Sequence, residues 1–143
     1  MMERAKELYS DEKNQFFLGN AYGLPFDDNH FDGAFSINLL HLLSDLELAC
    51  FEMSRILKAE GAFFIITAHP DDYKEWVSNY IEKKFEGMRF VGLKTNPNGT
   101  SSTDILYLRS YEELVAALAK ANLQVLSTES FRNMILIKGQ KKK

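Results

Sequence analysis

The sequence of residues 62–67, AFFIIT, is the stretch that decides the fold of this chain. Its first five residues are apolar, so a strand formed here would be apolar on both of its faces. Such a strand is typical of the interior of a parallel sheet that helices cover. We therefore predict a central strand at this position and expect helical segments before and after it.

Helical segments do flank this strand in the sequence. Residues 44–47, SDLE, have the spacing of a capping box, so we expect Ser44 to cap a helix whose apolar stripe continues until Gly61 stops it. An apolar stripe over residues 73–85 predicts a helix after the strand. A second capping box, SYEE at residues 110–113, predicts the start of another helix.

Other apolar runs predict further strands, at residues 16–18, 34–37, 124–127 and 134–138. The sequence NPNG at residues 96–99 is typical of a turn, so we expect a hairpin or lid within residues 86–108. Strands that alternate with helices indicate an α/β fold with a mostly parallel sheet and helices on both faces. The closing pair of strands indicates an antiparallel strand at the C-terminal edge, and we expect one domain over residues 1–143.

The composition restricts the functions open to the chain. Its 143 residues carry a net charge of −3, so a broad electrostatic attraction to nucleic acid is not expected. No apolar run approaches the roughly 20 residues that cross a bilayer, and the charged first residues contain no signal-peptide core. The single cysteine, Cys50, excludes an internal disulfide. We expect a cytoplasmic protein that binds neither nucleic acid nor a membrane.

Four short motifs follow one another along the chain. Residues 19–26, GNAYGLPF, are followed by NHFD at 29–32, by LHLLSD at 40–45 and by EMSRILKAEG at 52–61. In this order and at this spacing, the motifs resemble those of the class I S-adenosylmethionine-dependent methyltransferases, in particular their type 11-like members. The sequence RSYEEL at 109–114 is also similar to the start of the family's penultimate helix.

The resemblance begins partway through the family's fold, at the helix after its second strand. It implies a partial Rossmann-like fold, taken from a family sheet of order 3-2-1-4-5-7-6. The glycine-rich first βα unit and the second strand would be absent from residues 1–143. In the family these elements approach the cofactor and bind its ribose, as in dinucleotide sites. We therefore expect a truncated domain in which binding of S-adenosylmethionine is weak or absent.

The resemblance also implies cofactor-binding residues. Asn20 stands where the family accepts a hydrogen bond from the adenine amino group, and the N–H of Ala21 would donate to the adenine. Asn38 ends the family's fourth strand, where it would line the methionine end of the cofactor together with Leu39. The alternatives are that Asn20 only caps a turn and that Leu39, like Leu40, only packs in the core.

His41 is the candidate for acid–base catalysis at this edge of the sheet, because an imidazole ordinarily titrates near pH 6.5. The candidacy is weak, since many members of the family transfer a methyl group by positioning alone. His30 and His69 are weaker candidates still. We expect no metal site.

Two functions remain open. The first is transfer of a methyl group from S-adenosylmethionine to a small molecule, with little activity expected of the isolated chain. The second is a non-catalytic relic or partner subunit that uses the methyltransferase scaffold for association. Strands at 16–18 and 34–37 would lack their neighbours, and unpaired backbone groups need partners. We therefore expect two copies to associate as a homodimer through open sheet edges. The alternatives are that the strand at 16–18 pairs directly with the strand at 34–37, and that residues 1–143 are a fragment of a longer product.

Overall fold

The computed structural model describes residues 2–9, 14–68, 80, 82–86, 89–95, 99–107 and 109–143. The helices within these residues are α1 (Met2–Tyr9), α2 (Leu46–Ile56) and α3 (Tyr111–Lys120), and a short 3-10 helix covers Leu40–Leu42. The strands are β1 (Phe31–Ile37), β2 (Leu57–Ala68), β3 (Glu82–Glu86), β4 (Arg89–Thr95), β5 (Ser101–Tyr107), β6 (Leu123–Phe131) and β7 (Met134–Lys141).

The main sheet has the strand order β1-β2-β7-β6. β1 and β2 are parallel, while β7 runs antiparallel to both β2 and β6. The sequence predicts an antiparallel strand at the C-terminal edge, and this strand is β7. It lies one place inside the edge, because it pairs with β2 on one side and with β6 on the other, and Ile135 and Ile137 within it are buried. β1 forms one edge of the sheet, and β2 is its only strand partner in the described part of the chain.

Helices α2 and α3 pack on one face of the main sheet. Phe63 and Ile65 of β2 and Leu118 of α3 belong to the core between them and have no exposed surface. Gly139 of β7 makes room for this packing, because a Cβ atom there would overlap the ring of Phe63 and the carbonyl oxygen of Gln124. The core therefore depends on a residue without a side chain at one position of the sheet.

The opposite face of the sheet carries exposed apolar side chains. Phe64 lies between Phe63 and Ile65 in β2, so its side chain points away from α2 and α3, and it is 45% exposed. Phe64 is in register with Phe35 of β1, which is 77% exposed, and Ile37 on the same face is 55% exposed. We call Phe35, Ile37 and Phe64 the open-face patch.

A second, three-stranded sheet has the order β3-β4-β5 and is antiparallel throughout. It has a small core of its own, formed by Tyr80, Phe90 and Leu106. The Tyr80 hydroxyl donates to Asp104 Oδ2 at 2.7 Å. The strands β4 and β5 lie on either side of residues 96–99, where the sequence predicts a turn.

The helix predicted over residues 73–85 does not reach its expected end. Residues 82–86 form β3, because their backbone groups pair with β4. Residues 73–79 lie outside the described part of the chain.

The strand predicted at residues 16–18 is not formed. Residues 14–19 have no regular secondary structure, and Phe17 and Leu18 are 56% and 83% exposed. A strand needs a neighbour that satisfies its backbone groups, and no described strand pairs with this segment. The local apolar run was therefore insufficient to define a strand.

The ends of α2 also differ from the prediction. Asp45, rather than Ser44, caps the helix, because its side chain accepts a hydrogen bond from the N–H of Leu48 at 2.9 Å. The hydroxyl of Ser44 lies 3.2 Å from the hydroxyl of Tyr22 instead. The helix ends at Ile56, well before the glycine predicted to stop it, because the chain enters β2 directly.

Candidate functional site

A cavity of about 350 Å³ lies beside β1. It is lined by Ala21, Leu24, Ala34, Phe35, Ser36, Ile37, Asn38, Leu39, Leu40, Leu43, Ala49, Met53 and Ile56. Successive residues of a strand point to opposite faces, yet this cavity contacts every residue from 34 to 38. It therefore runs along the free edge of β1, where it is bordered by the preceding loop and by α2. We call it the β1 cavity.

The β1 cavity brings together three of the four residues proposed from sequence to bind a cofactor. Ala21, Asn38 and Leu39 all line it, whereas Asn20 is not among its lining residues. Leu40 also contacts the cavity but is buried in the main core at 5% exposure. Residues that are far apart in sequence thus meet at the carboxyl end of β1, where open α/β sheets bind ligands.

Asn20 organises a turn just before this site. Its Oδ1 atom accepts a hydrogen bond from the N–H of Tyr22 at 3.0 Å, and its carbonyl oxygen accepts one from Gly23 at the same distance. This is the turn-capping role that the sequence left open, although an amide oxygen can accept a second hydrogen bond. Within the described residues, the N–H of Ala21 makes no hydrogen bond.

The backbone conformation at residue 38 favours asparagine, and Asn38 also lines the β1 cavity. Its φ angle is 54°, in the left-handed region that asparagine adopts more readily than most residues. Its N–H donates to the carbonyl oxygen of Ile66 at 2.8 Å, which holds it against the end of β2. The conformation turns the chain sharply at the end of β1 and leads it into the short 3-10 helix.

Two charged residues of α2 hold the loop that lines the other side of the cavity. Glu52 accepts a hydrogen bond from the N–H of Leu24 at 2.8 Å. Arg55 donates to the carbonyl oxygens of Leu24 at 2.9 Å and Phe26 at 2.7 Å, and it forms an ion pair with Asp28 at 2.8 Å. We call this pair of residues the Glu52–Arg55 clamp.

The clamp residues also bind each other, through two hydrogen bonds of 2.9 Å between the guanidinium and the carboxylate. The hydrogen bond from Arg55 lowers the pKa of Glu52, and the same bond raises the pKa of Arg55. Their spacing within the EMSRILKAEG motif was the signal that could have identified the pair.

His41 lies at the same end of the sheet but does not line the β1 cavity. Its Nδ1 atom is 3.1 Å from the hydroxyl of Thr67, which is 3% exposed at the end of β2. Burial lowers the pKa of His41, so its ring is neutral at neutral pH. Thr67 carries no motif that would have identified it from sequence.

A second cavity, of about 540 Å³, lies between the start of α2 and α3. Arg109 at its border donates to the carbonyl oxygens of Leu43 at 2.6 Å and Ser44 at 2.9 Å, and its guanidinium lies over the ring of Tyr107. Arg109 therefore ties the chain before α3 to the segment that follows the 3-10 helix.

Some kinds of site find no support in the residues that the structure describes. No group of three His, Cys, Asp or Glu side chains there could hold a metal ion. No helix among them is long and apolar enough to span a bilayer. Burial raises the pKa of the Cys50 thiol to about 12, so this cysteine is unreactive at neutral pH.

Comparison with known proteins assigns the motifs and the fold. Residues 1–65 match the family model described as a methyltransferase domain. A structure from Listeria monocytogenes assigned as an S-adenosylmethionine-dependent methyltransferase has a TM-score of 0.76 to this chain at 14% identity, covering 100% of this chain and 76% of that one. The fold is that of the class I methyltransferases. The resemblance proposed from the sequence is thereby confirmed.

This methyltransferase fold recurs in further proteins. Over 63 residues, 43% of this chain, the sequence is 33% identical to the fatty-acid O-methyltransferase of Mycolicibacterium smegmatis, and the match spans only 23% of that protein. The structure of the complex between the Haloferax volcanii Trm112 methyltransferase activator and a methyltransferase has a TM-score of 0.73 at 18% identity, covering 100% of this chain and 68% of the matched one. The order β1-β2-β7-β6 agrees with the last four strands, 4-5-7-6, of the sheet order that the resemblance implied.

Proposed function

We propose that this chain binds S-adenosylmethionine in the β1 cavity and acts in the transfer of its methyl group to a small molecule. The observation that carries the proposal is the meeting of Ala21, Asn38 and Leu39 in one cavity at the carboxyl end of β1. The resemblance aligns Ala21 with the adenine end of the cofactor, and Asn38 and Leu39 with its methionine end. Ligands of open α/β sheets bind at this position.

The residues of the β1 cavity fit one side of this cofactor. Apolar side chains such as Leu24 and Met53 suit the face of a nucleoside, and the N–H of Ala21 is a suitable donor. The volume of about 350 Å³ lies at the lower end of the range for small-molecule sites. Among the described lining residues there is no carboxylate that could bind ribose hydroxyls. We therefore expect weak binding by residues 1–143 alone.

The chemistry proposed here is mainly positional. S-adenosylmethionine supplies an electrophilic methyl group on a sulfonium, and alignment of the acceptor with such a group lowers a barrier by about 7–11 kcal/mol. The Glu52–Arg55 clamp holds the loop of Ala21 against α2, and the left-handed turn at Asn38 fixes the other side of the cavity. Leu39, which is 37% exposed, gives the cavity an apolar border at the carboxyl end of β1.

The chemistry of the methyl acceptor determines whether His41 takes part in the reaction. An acceptor hydroxyl or amine would lose a proton, which the neutral ring held by Thr67 could take up. A carboxylate acceptor, such as the fatty acid in the relative's name, would need no base. The strands β4 and β5 are the proposed lid, because β5 contacts the 3-10 helix that contains His41.

The binding proposal can be tested by titrating the ¹⁵N-labelled chain with S-adenosylmethionine and recording amide chemical shifts. We expect shifts at Ala21, Asn38 and Leu39 that do not saturate at low ligand concentration. The variant Asn38→Gly keeps the left-handed turn but removes the side chain, so it should reduce these shifts. Shifts confined to the second cavity, or none at all, would refute cofactor binding at β1.

A second function is a non-catalytic subunit that uses the same scaffold for association. The observations that favour it are the open-face patch and the edge of β1 that has no strand partner in the described residues. The Haloferax volcanii methyltransferase in complex with its activator is a protein of the same fold that assembles with another chain. Association without amide shifts in the titration above would favour this function over methyl transfer.

A further inference from the structure

Thr67 is the polar member of an otherwise apolar row on β2. Phe63, Ile65 and Thr67 point to the same face of the strand, and all three are buried. A valine would fill nearly the same space without a hydroxyl group, so packing alone does not explain a threonine. The hydroxyl lies 3.1 Å from Nδ1 of His41, which is its one hydrogen-bond partner among the described residues. The contact with His41 therefore accounts for the hydroxyl.

This single partner determines which of the two atoms donates the hydrogen. A neutral imidazole has one N–H and one nitrogen with a lone pair, while a hydroxyl has one hydrogen and two lone pairs. If Nδ1 carried the hydrogen, the buried hydrogen of Thr67 would have no acceptor among the described residues. If Thr67 donates to Nδ1, only lone pairs stay unused, and folded proteins tolerate an unused lone pair better than an unused buried donor. The ring hydrogen of His41 then lies on Nε2.

We propose that Thr67 is a positioning residue that holds His41 as its Nε2–H tautomer, and that the methyl acceptor is therefore an anion such as a carboxylate. Of the two classes of acceptor, hydroxyl or amine on one side and carboxylate on the other, this is the one that needs no base. The identity of the acceptor rests on the proposed methyl transfer, whereas the tautomer of His41 does not.

The contact with Thr67 makes His41 a poor acceptor of a proton. In this tautomer only Nδ1 has a lone pair, and that lone pair already accepts the hydrogen of Thr67. Protonation of Nδ1 would force Thr67 to turn its hydrogen away from its one described acceptor. Burial also lowers the pKa of His41, because a buried site disfavours the charged ring. An acceptor that must lose a proton therefore gains little from this histidine.

Two carboxylates at the N-terminal ends of α2 and α3 already have structural roles. Asp45 accepts the N–H of Leu48 at the start of α2, and Glu113 accepts the N–H of Ser110 at the start of α3. A negative charge is favourable at such a helix end. Both groups are thus used to stabilise helices rather than to take up a proton.

A carboxylate acceptor balances the transfer without any proton. One of its oxygens forms a bond to the methyl carbon, while the bond from that carbon to sulfur breaks and leaves its electron pair on the sulfur. The negative charge of the carboxylate and the positive charge of the sulfonium both disappear, and a methyl ester is formed. A hydroxyl acceptor would have to release a proton in the same reaction, so it would need a base.

The tautomer can be read from the ¹⁵N shifts of the His41 ring in the full chain, without any ligand. The variant His41→Gln assigns the ring signals among the three histidines. We expect the signature of an Nε2–H ring, with Nδ1 as the unprotonated nitrogen. Thr67→Val should allow the ring to exchange between tautomers, while Thr67→Ser keeps a hydroxyl and should retain the wild-type signature. An Nδ1–H ring in the wild type, or a signature that Thr67→Val leaves unchanged, would overturn the proposal.

Competition between two acceptors tests the class of substrate. The full chain is incubated with S-adenosylmethionine and equal amounts of octanoate and 1-octanol, and mass spectrometry measures the methylated products. These probes have apolar chains because Leu39 and Leu42, on either side of His41 in the sequence, are partly exposed. We expect methyl octanoate in at least about tenfold excess over octyl methyl ether. An equal or greater amount of the ether would overturn the choice of acceptor.

Thr67→Val separates the effect of the histidine from the intrinsic reactivity of the two acceptors, which is the same in both proteins. This variant should raise the share of ether, because its ring can also adopt the tautomer in which Nε2 is unprotonated. A share that the variant leaves unchanged would contradict a link between Thr67 and the acceptor. Formation of neither product would count against methyl transfer itself, while the ring shifts would still decide the role of Thr67.

Discussion

The Nη2 atom of Arg55 lies 2.9 Å from the carbonyl oxygen of Leu24, a residue 31 positions earlier in the chain. Glu52 accepts the N–H of the same leucine, so one turn of α2 satisfies both backbone groups of a loop residue. The loop that borders the β1 cavity is thereby held by a helix on the far side of that cavity. Much of the geometry of the candidate site depends on this one contact.

Removal of the clamp should destabilise the fold. Glu52→Ala should lower the free energy of unfolding by about 1–3 kcal/mol, because hydrogen bonds to charged groups contribute about this much and Leu24 would lose its acceptor. Urea denaturation at neutral pH measures the change. The control is Glu47→Ala, whose exposed ion pair with Lys120 should contribute at most about 1 kcal/mol. Equal effects of the two variants would contradict the assigned role.

The clamp should also give a defined dependence of stability on pH. The hydrogen bond from Arg55 lowers the pKa of Glu52 below its ordinary value of 4.5. A carboxyl group with a lowered pKa in the folded state contributes stability above its unfolded pKa, and that stability is lost as pH falls through the folded pKa. The difference in unfolding free energy between the wild type and Glu52→Gln should therefore be constant near neutral pH and shrink below about pH 4.5. Urea titrations at a series of pH values measure this difference, and one that persists unchanged in acid would argue against it.

Gly139→Ala should be strongly destabilising. The added methyl group would overlap the Phe63 ring and the backbone oxygen of Gln124, and backbone cannot move aside as a flexible side chain can. Overpacking of this kind typically costs about 1–3 kcal/mol or more. Gly23→Ala is the matched control, because a Cβ atom there has nothing within 4 Å and the change should stay within about 0.5 kcal/mol. Thermal unfolding of both variants would show whether the packing at Gly139 is as tight as described.

Two buried hydroxyl groups should respond in opposite directions to their removal. Ser36 Oγ is buried without a hydrogen-bond partner in the described structure, whereas Thr67 Oγ1 bonds to His41. An unsatisfied buried hydroxyl costs about 1–3 kcal/mol, so Ser36→Ala should leave stability unchanged or raise it. Thr67→Val should lower stability by about 0.5–1.5 kcal/mol, the net contribution of one hydrogen bond.

Chemical denaturation of the two hydroxyl variants measures both effects. A large loss of stability for Ser36→Ala would mean that its hydroxyl has a partner after all. The tautomer of His41, read from the ¹⁵N shifts of its ring, should change in Thr67→Val but not in Ser36→Ala.

Sequence patterns predicted the elements whose signals are local. The apolar run at 62–67 lies within β2, and the capping box at Ser110 and Glu113 is confirmed, with both reciprocal hydrogen bonds present. Residues 82–86, EKKFE, have no apolar alternation, and they form β3 only because β4 is beside them. The run at 16–18 failed for the converse reason, since no described neighbour pairs with it.

The sequence motifs identified candidate residues of the site that lie within single segments. The contacts between segments that are far apart in sequence were missed. Ala21, Asn38 and Leu39 line one cavity, and their role in cofactor binding remains a prediction. The Glu52–Arg55 clamp joins segments that are far apart in sequence, so the EMSRILKAEG motif marks the two residues but not the loop that they bind. Thr67 was missed because its partner lies 26 residues away in the chain.

The guanidinium of Arg109 has a mechanical consequence for the molecule. Arg109 lies two residues after the end of β5, and its guanidinium donates hydrogen bonds to two carbonyl oxygens of the segment leading into α2. These hydrogen bonds link the small sheet to the segment that follows β1. A tilt of the small sheet would be transmitted through these hydrogen bonds to the turn after Asn38. A ligand in the β1 cavity would then respond to the orientation of the small sheet, although none of the described residues of that sheet line the cavity.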